Sequence, residues 1–423
     1  MIHTDRRQIL RALGLSAASL ALPHTAFARA RANIVIIGGG FSGATAAKQL
    51  KGLLPSSEVT LIDASATYTA CPFSNLVLGT DRALTEQEFT YDGLRSLGVN
   101  VVNQLAVDVD PVGQTVSLES AERLSYDRLI LSPGIDMRWG ALEGYDEAAS
   151  SVFPHAWKAG PQTRLLRAKL DSLEDGQTVL MSVPPAPFRC PPGPYERASM
   201  IAHYLKSRKP RSKLIILDAK DSFSKMALFQ EAWAEHYPGH LEWRGATDDG
   251  TVSRVDASTN MIETDFETFQ STAINVIPPQ KAGRIADRAG VSDATGWCPI
   301  EPMAFESTKQ PNIHVIGDAT IAAPMPKSAF SANLQAKVCA MGIARLVSGL
   351  SPIPTVLANT CYSFTTPDEA ISIAGVYIND NSILQSVSGA GGVSPLGAEK
   401  SVRFNEADQA KSWFGTITAE AFG

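Results

Sequence analysis

Five cysteines, Cys71, Cys190, Cys298, Cys339 and Cys361, are spread along a chain of 423 residues. Two of them stand beside prolines in a way that suits thiolate chemistry. Cys71-Pro72 and Cys190-Pro191-Pro192 each read as the approach to a helix, because proline is tolerated in the first helical turn. A helix N-terminus lowers a cysteine pKa and favours the nucleophilic thiolate. Glu196, shortly after Cys190, could accept a proton there; a first-turn glutamate also favours a helix N-terminus with no catalytic role. Cys298, beside Trp297, and Cys339, on an apolar helical stretch, read as packed core thiols. The odd count leaves at least one cysteine unpaired or otherwise bonded. No Cys-x-x-Cys-His occurs, so the chain itself offers no attachment point for a c-type haem.

The second chemical feature is Gly38-Gly39-Gly40-Phe41-Ser42-Gly43. It follows the β-branched run Asn33-Ile34-Val35-Ile36-Ile37 and opens a helical stretch over 43–50. The next strand pattern, Glu58-Val59-Thr60-Leu61-Ile62-Asp63, ends in an acid. Strand, glycine turn, helix, strand and acid in that order form the full dinucleotide fingerprint. Gly38 permits the tight turn, Gly40 lets the backbone approach a pyrophosphate, and Gly43 allows close helix–strand packing. Asp63 accepts from a ribose hydroxyl, and the helix N-terminus holds the phosphates.

These elements need a scaffold, and the rest of the chain supplies one. Strand signals at 99–102 and 129–131 bracket a polar hairpin-like region over 107–118. A second unit follows: a strand over 178–183, a helix over 196–206, and Lys213-Leu214-Ile215-Ile216-Leu217-Asp218 as a strand again ending in an acid. A long helix is expected over 332–346. The fold class is therefore α/β, with two Rossmann-like dinucleotide-binding domains and a smaller C-terminal domain. Residues 32–145 and 281–352 form the first of these, split in sequence; 146–280 form the second, and 353–423 the third.

Hydrophobic residues at 44% and charged residues at 19% are those of an ordinary globular protein. A net charge of −6 argues against a nucleic-acid binder. Residues 1–28 read as an export signal: Arg6-Arg7 in a twin-arginine pattern, a weakly apolar stretch, then Ala26-Phe27-Ala28 as a cleavage site. The mature protein is expected in the periplasm, and no later stretch has the length of a membrane span.

Tyr126-Asp127-Arg128-Leu129-Ile130-Leu131-Ser132-Pro133-Gly134 resembles a segment of two-dinucleotide-domain flavoproteins. Gly317-Asp318-Ala319 resembles their Gly-Asp motif, whose aspartate holds the FAD ribitol. The resemblance makes the dinucleotide FAD. In the second unit, where a nicotinamide-binding member has glycines, Val183 is followed by Pro184-Pro185-Ala186-Pro187-Phe188-Arg189-Cys190-Pro191-Pro192-Gly193-Pro194. Prolines lack the N–H donors of a phosphate cradle, so this domain reads as one without nicotinamide binding.

That proline-rich segment, with Cys71-Pro72-Phe73-Ser74-Asn75, His155-Ala156-Trp157-Lys158, Gly296-Trp297-Cys298-Pro299, Met325-Pro326-Lys327-Ser328 and Asn359-Thr360-Cys361-Tyr362-Ser363, resembles the flavoprotein subunit of flavocytochrome c sulfide dehydrogenase. The likeness runs to Ser412-Trp413 and Phe422-Gly423. It implies a sulfide-oxidising enzyme with FAD held covalently through Cys71 and with Cys190 and Cys361 as a redox-active disulfide. Read from the residues themselves, Glu196 could accept a proton near that pair; Lys327, shortly after Asp318, reads either as a cation that stabilises the reduced flavin or as a solvated lysine, and Trp413 either as stacking near the flavin or the sulfide entrance or as core packing. The resemblance also implies a separate c-type cytochrome subunit, which carries the haem and accepts the electrons. Two other readings remain open: a sulfide:quinone oxidoreductase-like enzyme, and a non-catalytic flavin electron carrier whose cysteines are structural.

Overall fold

The computed structural model describes residues 30–380 and 383–423, so the export segment read at 1–28 lies outside the described residues. The chain begins with β1 (Asn33–Ile37), α1 (Phe41–Leu53) and β2 (Glu58–Ile62). A short helix, α2 (Ser74–Gly79), and strands β3 (Asn100–Val102) and β4 (Arg128–Leu131) follow. Ile34, Ile36, Leu61 and Ile130 are almost wholly buried, as β-branched and aliphatic strands covered on both faces should be. The polar region between β3 and β4 forms the expected hairpin, with Val109 opposite Val116.

The second unit is built from β5 (Thr178–Val183), α3 (Gly193–Arg208), β6 (Lys213–Asp218), α4 (Met226–His236), β7 (Leu241–Arg244) and β8 (Ala273–Val276). Its strands run parallel in the order β7-β6-β5-β8. The chain then returns to the first sheet through β9 (Ile313–Val315) and α5 (Ala329–Val347). There β9-β4-β1-β2-β3 are parallel neighbours, with Ile34 opposite both Val59 and Arg128. Residues from both sequence segments thus complete one sheet.

The C-terminal region pairs β10 (Val356–Phe364) with β11 (Ala370–Asp380) and ends in α6 (Lys400–Phe422). Cys361 sits opposite Ile373 in that antiparallel ladder. Leu357, Phe364, Phe414 and Phe422 join the apolar cluster of Ile34, Ile36 and Leu61, so this region is packed onto the first domain's core. Phe414 stacks on Phe73 with ring centroids 4.5 Å apart, and Phe422 stacks on Tyr68 at 5.3 Å. Phe364 of β10 meets Phe73 edge-on at 5.1 Å, which fixes β10, and with it Cys361, against the segment that carries Cys71.

Candidate active site

A cavity of about 1240 Å³ runs from the ends of β1 and β2 to the face of β10. It exceeds the 300–1,000 Å³ usual for a single small molecule and has room for a dinucleotide. Its wall includes Gly38, Gly39, Gly40, Asp63 and Ser65 together with Cys71, Arg189, Cys190, Glu196, Cys361 and Trp413.

The glycine turn has the geometry its spacing implied. Gly38 has φ +99, and a β-carbon there would lie 2.2 Å from the Ser132 carbonyl oxygen. Gly43 packs against β1 without lining the cavity: a β-carbon there would lie 1.8 Å from the Gly38 oxygen. Gly40 faces the cavity with only the Tyr68 ring near its α-carbon. Asp63 accepts from the Gly39 N–H at 2.6 Å and from the Ser65 N–H at 2.9 Å, which orients its carboxylate at the cavity edge.

Gly317 has φ +75 and donates its N–H to Gln335 Oε1 at 2.8 Å; this aims Asp318 at the cavity. Asp318 Oδ1 is buried with no partner among the described residues, an acceptor left for a donor from outside the chain. Burial pushes its carboxyl up, while Arg189 and Lys327 pull it down. A glycine cradle for phosphates, an acid for a ribose and a buried orphan acceptor for a polyol, along one cavity, fit FAD.

Lys327 does not lie where the sequence placed it. Its ammonium donates to the carbonyls of Asp318 (2.9 Å) and Thr320 (2.5 Å) and rests 3.8 Å above the Trp297 ring. It is absent from the cavity wall, because the backbone turn after Asp318 captures it. Burial lowers it to about 8. Its contribution is to brace the Asp318 turn.

Cys71, Cys190 and Cys361 line the same cavity. The loop after β5 carries Arg189 and Cys190 into the cavity, and Cys190 has φ +56, a left-handed conformation that costs a non-glycine residue about 1–3 kcal/mol. Its N–H donates to the Lys327 carbonyl at 2.9 Å and its carbonyl accepts from Gly193 N–H at 2.8 Å. Burial first, then the charges of Cys361 and Glu196, push the Cys190 thiol up. Cys361 lines the same cavity, its Sγ 3.3 Å from Asn359 Nδ2. All five cysteines are free thiols here, so the bond implied between Cys190 and Cys361 is not formed in this structure; Cys361 turns instead to Asn359. Cys71 lines the cavity with Sγ 3.7 Å from the Trp157 carbonyl. Pro72 stands before the first turn, since α2 starts at Ser74 after a left-handed Phe73. Cys298 and Cys339 are buried core thiols, as expected.

Glu196, in the first turn of α3, joins three elements. Its Oε2 accepts from Asn75 Nδ2 at 2.7 Å and its Oε1 from the Phe364 N–H at 2.9 Å. Burial raises its proton affinity despite those two bonds. Trp413 lines the cavity beside Phe330 and Tyr362.

Sequence reasoning missed Arg197 as a site residue. It is buried, donates to the carbonyls of His155 (2.8 Å) and Ala156 (2.5 Å) and to Asn75 Oδ1 (3.1 Å), and faces the Trp157 ring at 4.9 Å. Burial lowers it to about 9. Nothing in Tyr195-Glu196-Arg197-Ala198-Ser199 marks it as buried, since an acid stands directly beside it. Lys225 was missed too, and nothing around it in the sequence marks it.

The second domain's strand-end acid is closed off. Asp218 accepts from Tyr195 Oη at 2.6 Å, Lys220 Nζ at 2.5 Å and Trp243 Nε1 at 3.1 Å, and Phe223 stacks on Tyr195 at 3.5 Å. The place where a ribose would meet this acid is filled by side chains.

Fold and site together define a two-dinucleotide-domain flavoprotein. Residues 32–164 match the pyridine nucleotide-disulphide oxidoreductase family, 163–278 the central part of the sulfide dehydrogenase [flavocytochrome c] flavoprotein chain, and 353–422 the flavin-binding part of flavocytochrome c sulphide dehydrogenase. The chain belongs to this last family, the flavoprotein chains of flavocytochrome c sulfide dehydrogenase, and is a flavin-dependent sulfide-oxidising enzyme. It is 50% identical to the sulfide dehydrogenase flavoprotein chain of Chlorobaculum thiosulfatiphilum over 44 residues, 10% of this chain and 92% of that one. It is 20% identical to the mitochondrial sulfide:quinone oxidoreductase of Mus musculus over 341 residues, 76% of this chain and 72% of that one. Among solved structures, the sulfide:quinone oxidoreductase of Aquifex aeolicus has the same fold, with TM-score 0.70, 18% identity and 92% of each chain covered.

Proposed function

We propose that this enzyme oxidises hydrosulfide at a Cys190–Cys361 disulfide, with FAD held through a thioether to Cys71, and that the electrons leave to a c-type cytochrome on a separate subunit. The observation that carries the reading is the single cavity. Its wall includes Gly38, Asp63 and Asp318 and also Cys190, Cys361 and Glu196.

In the oxidised pair, hydrosulfide attacks one cysteine sulfur. A new S–S bond forms as a persulfide, the Cys190–Cys361 bond breaks, and the second cysteine departs as a thiolate holding the electron pair of the broken bond. Glu196 takes the proton released when the nucleophile arrives as dihydrogen sulfide, a task suited to a carboxylate whose proton affinity burial has raised. Arg189 and Arg197, both on the cavity wall, supply the positive field that draws in an anion. Bound FAD supplies an acceptor for an electron pair that can be returned one electron at a time. Asp318 holds its polyol chain, the Gly38–Gly43 turn its phosphates and Asp63 its ribose. Export by the twin-arginine route to the periplasm belongs to the same proposal.

The test is anaerobic addition of sulfide to the purified protein while the flavin band is followed. Cys190→Ser and Cys361→Ser abolish bleaching, and wild-type bleaching in either variant overturns the disulfide mechanism. Reoxidation by cytochrome c supports the proposed partner. Reoxidation by a short-chain quinone alone selects the quinone route, the second reading, which rests on the likeness to the mitochondrial sulfide:quinone oxidoreductase of Mus musculus. After acid denaturation the yellow colour stays with the protein; a colourless pellet removes Cys71 from the proposal.

A further inference from the structure

We propose that Lys225, outside the cavity wall, is a positioning residue: its buried ammonium stabilises the negative charge left on the Cys190–Cys361 pair when their bond opens. The inference rests on the reading of those two cysteines as the reactive pair.

Three features make a lysine at this position costly. Its side chain is buried, with 8% of the residue exposed. Its backbone is left-handed, with φ +64, a conformation few side chains adopt without strain. It is also the N-cap of α4, where the helix dipole places positive charge and disfavours a cation. Its hydrogen-bond partners do nothing to cancel its charge. Lys225 Nζ donates to the Cys361 carbonyl at 3.0 Å, Ser363 Oγ at 2.9 Å and the Ile371 carbonyl at 3.2 Å, all neutral. Among the described residues no carboxylate lies within ion-pair distance of it, and a buried ammonium is normally paired.

The charges that face it explain its presence. They are, in order, Cys361, Glu196, Cys190 and Glu406, and burial has lowered Lys225 to about 8 against their pull. Arg189 also acts on Cys190, and Tyr377 faces Cys361 from β11. The three bonds to β10 and β11 hold the ammonium beside the Cys361 backbone, so it acts through space and touches neither sulfur. In the closed disulfide the cysteine pair carries no charge. When hydrosulfide opens it, a thiolate appears beside a cation already desolvated and oriented.

The experiment reads the thiols without sulfide. The holoenzyme, reduced by a phosphine, is alkylated with iodoacetamide between pH 5 and 9, and labelling at Cys190 and Cys361 is followed by mass spectrometry. Lys225→Gln keeps donors for the β10 carbonyl and for Ser363 but removes the charge; Lys225→Arg keeps the charge. An opposite charge within a few ångströms shifts a titration by about one to three pH units. Alkylation near pH 7 is therefore expected to slow about tenfold or more in Lys225→Gln, with its pH profile displaced upward, and to stay near wild type in Lys225→Arg. An unchanged profile in Lys225→Gln overturns the proposal, as does an Arg variant as slow as the Gln one, which would mark a packing role. Should Lys225→Gln not fold, Lys225→Met is judged by the same profile. Failure of the disulfide mechanism shows separately, as sulfide bleaching that survives Cys190→Ser.

Discussion

Gly43→Ala places a methyl group 1.8 Å from the Gly38 carbonyl oxygen and 3.3 Å from Ser132 Cβ. Contact between such atoms needs about 3.5 Å, so the start of α1 must move away from β1 by about 1.7 Å. Both neighbours of that methyl are rigid: Gly38 sits in its own left-handed turn, and Ser132 follows β4 and bonds Ser42 at 2.6 Å. Overpacking of this kind costs about 1–3 kcal/mol. The shift also pulls Gly39 N–H off Asp63, now 2.6 Å away, a charged hydrogen bond worth about 1.5–3 kcal/mol. A loss of about 3 kcal/mol lowers Tm by roughly 6–12 °C for a domain of this size. The phosphate-binding N–H groups move with the helix, so less FAD is captured for attachment at Cys71, and FAD content, read as the ratio of 450 to 280 nm absorbance, falls as well. Gly52→Ala is the control, because a β-carbon there meets nothing within 4 Å; in the same helix it is neutral or stabilising by up to about 1 kcal/mol. A Gly43→Ala protein with full flavin content and a Tm within a degree of the Gly52→Ala protein would refute the packing argument and the placement of the phosphates.

NADH added anaerobically leaves the flavin band unchanged, since Tyr195, Lys220 and Trp243 occupy Asp218; bleaching by NADH would show the second domain open to nicotinamide. Asp218→Ala, which strands the Lys220 ammonium, costs about 3–5 kcal/mol in urea unfolding, and a loss under 1 kcal/mol would show that Lys220 finds another partner. Burial, with Arg197, Lys158 and Arg189 nearby, lowers His155 to about 3. The folded state then binds fewer protons than the unfolded one below the ordinary value near 6.5, so stability falls as pH drops from there toward 3. The loss between pH 6.5 and 4.5 is about 2 kcal/mol. His155→Asn, which retains an acceptor for the Trp157 N–H, flattens that slope by this amount; parallel pH curves would exclude His155 as its source.

The parts of the fold legible in the sequence were those whose cause is local. β1, its glycine turn and α1 were readable because β-branched burial, a left-handed Gly38 and the contact between Gly43 and Gly38 are set by residue type within a few positions. α6 was not read at all. Its buried Ala407, Ala410, Phe414, Ile417 and Ala421 do recur at three- and four-residue spacing, but three of the five are small alanines and Arg403 opens the same row, so the contrast with the polar face is weak. Lys327 was placed wrongly because its neighbours in sequence could not show that the Asp318 and Thr320 carbonyls would capture it.

By itself, then, the sequence determined a dinucleotide cradle, a second unit whose prolines replace phosphate-binding N–H groups, and cysteines in segments that resemble one flavoprotein family. Only the tertiary structure decided what shares a space. Asp318 reaches the glycine turn because β9 inserts beside β4 from the far side of the second domain. Glu196 is a buried hub because Asn75 and Phe364 arrive from two other elements. Lys225 becomes a charge beneath Cys361 because the N-terminus of α4 packs under β10. The physical reason is the same in each case. Backbone preference is a property of neighbours in sequence, whereas desolvation and electrostatic pairing depend on whichever segments packing brings within a few ångströms.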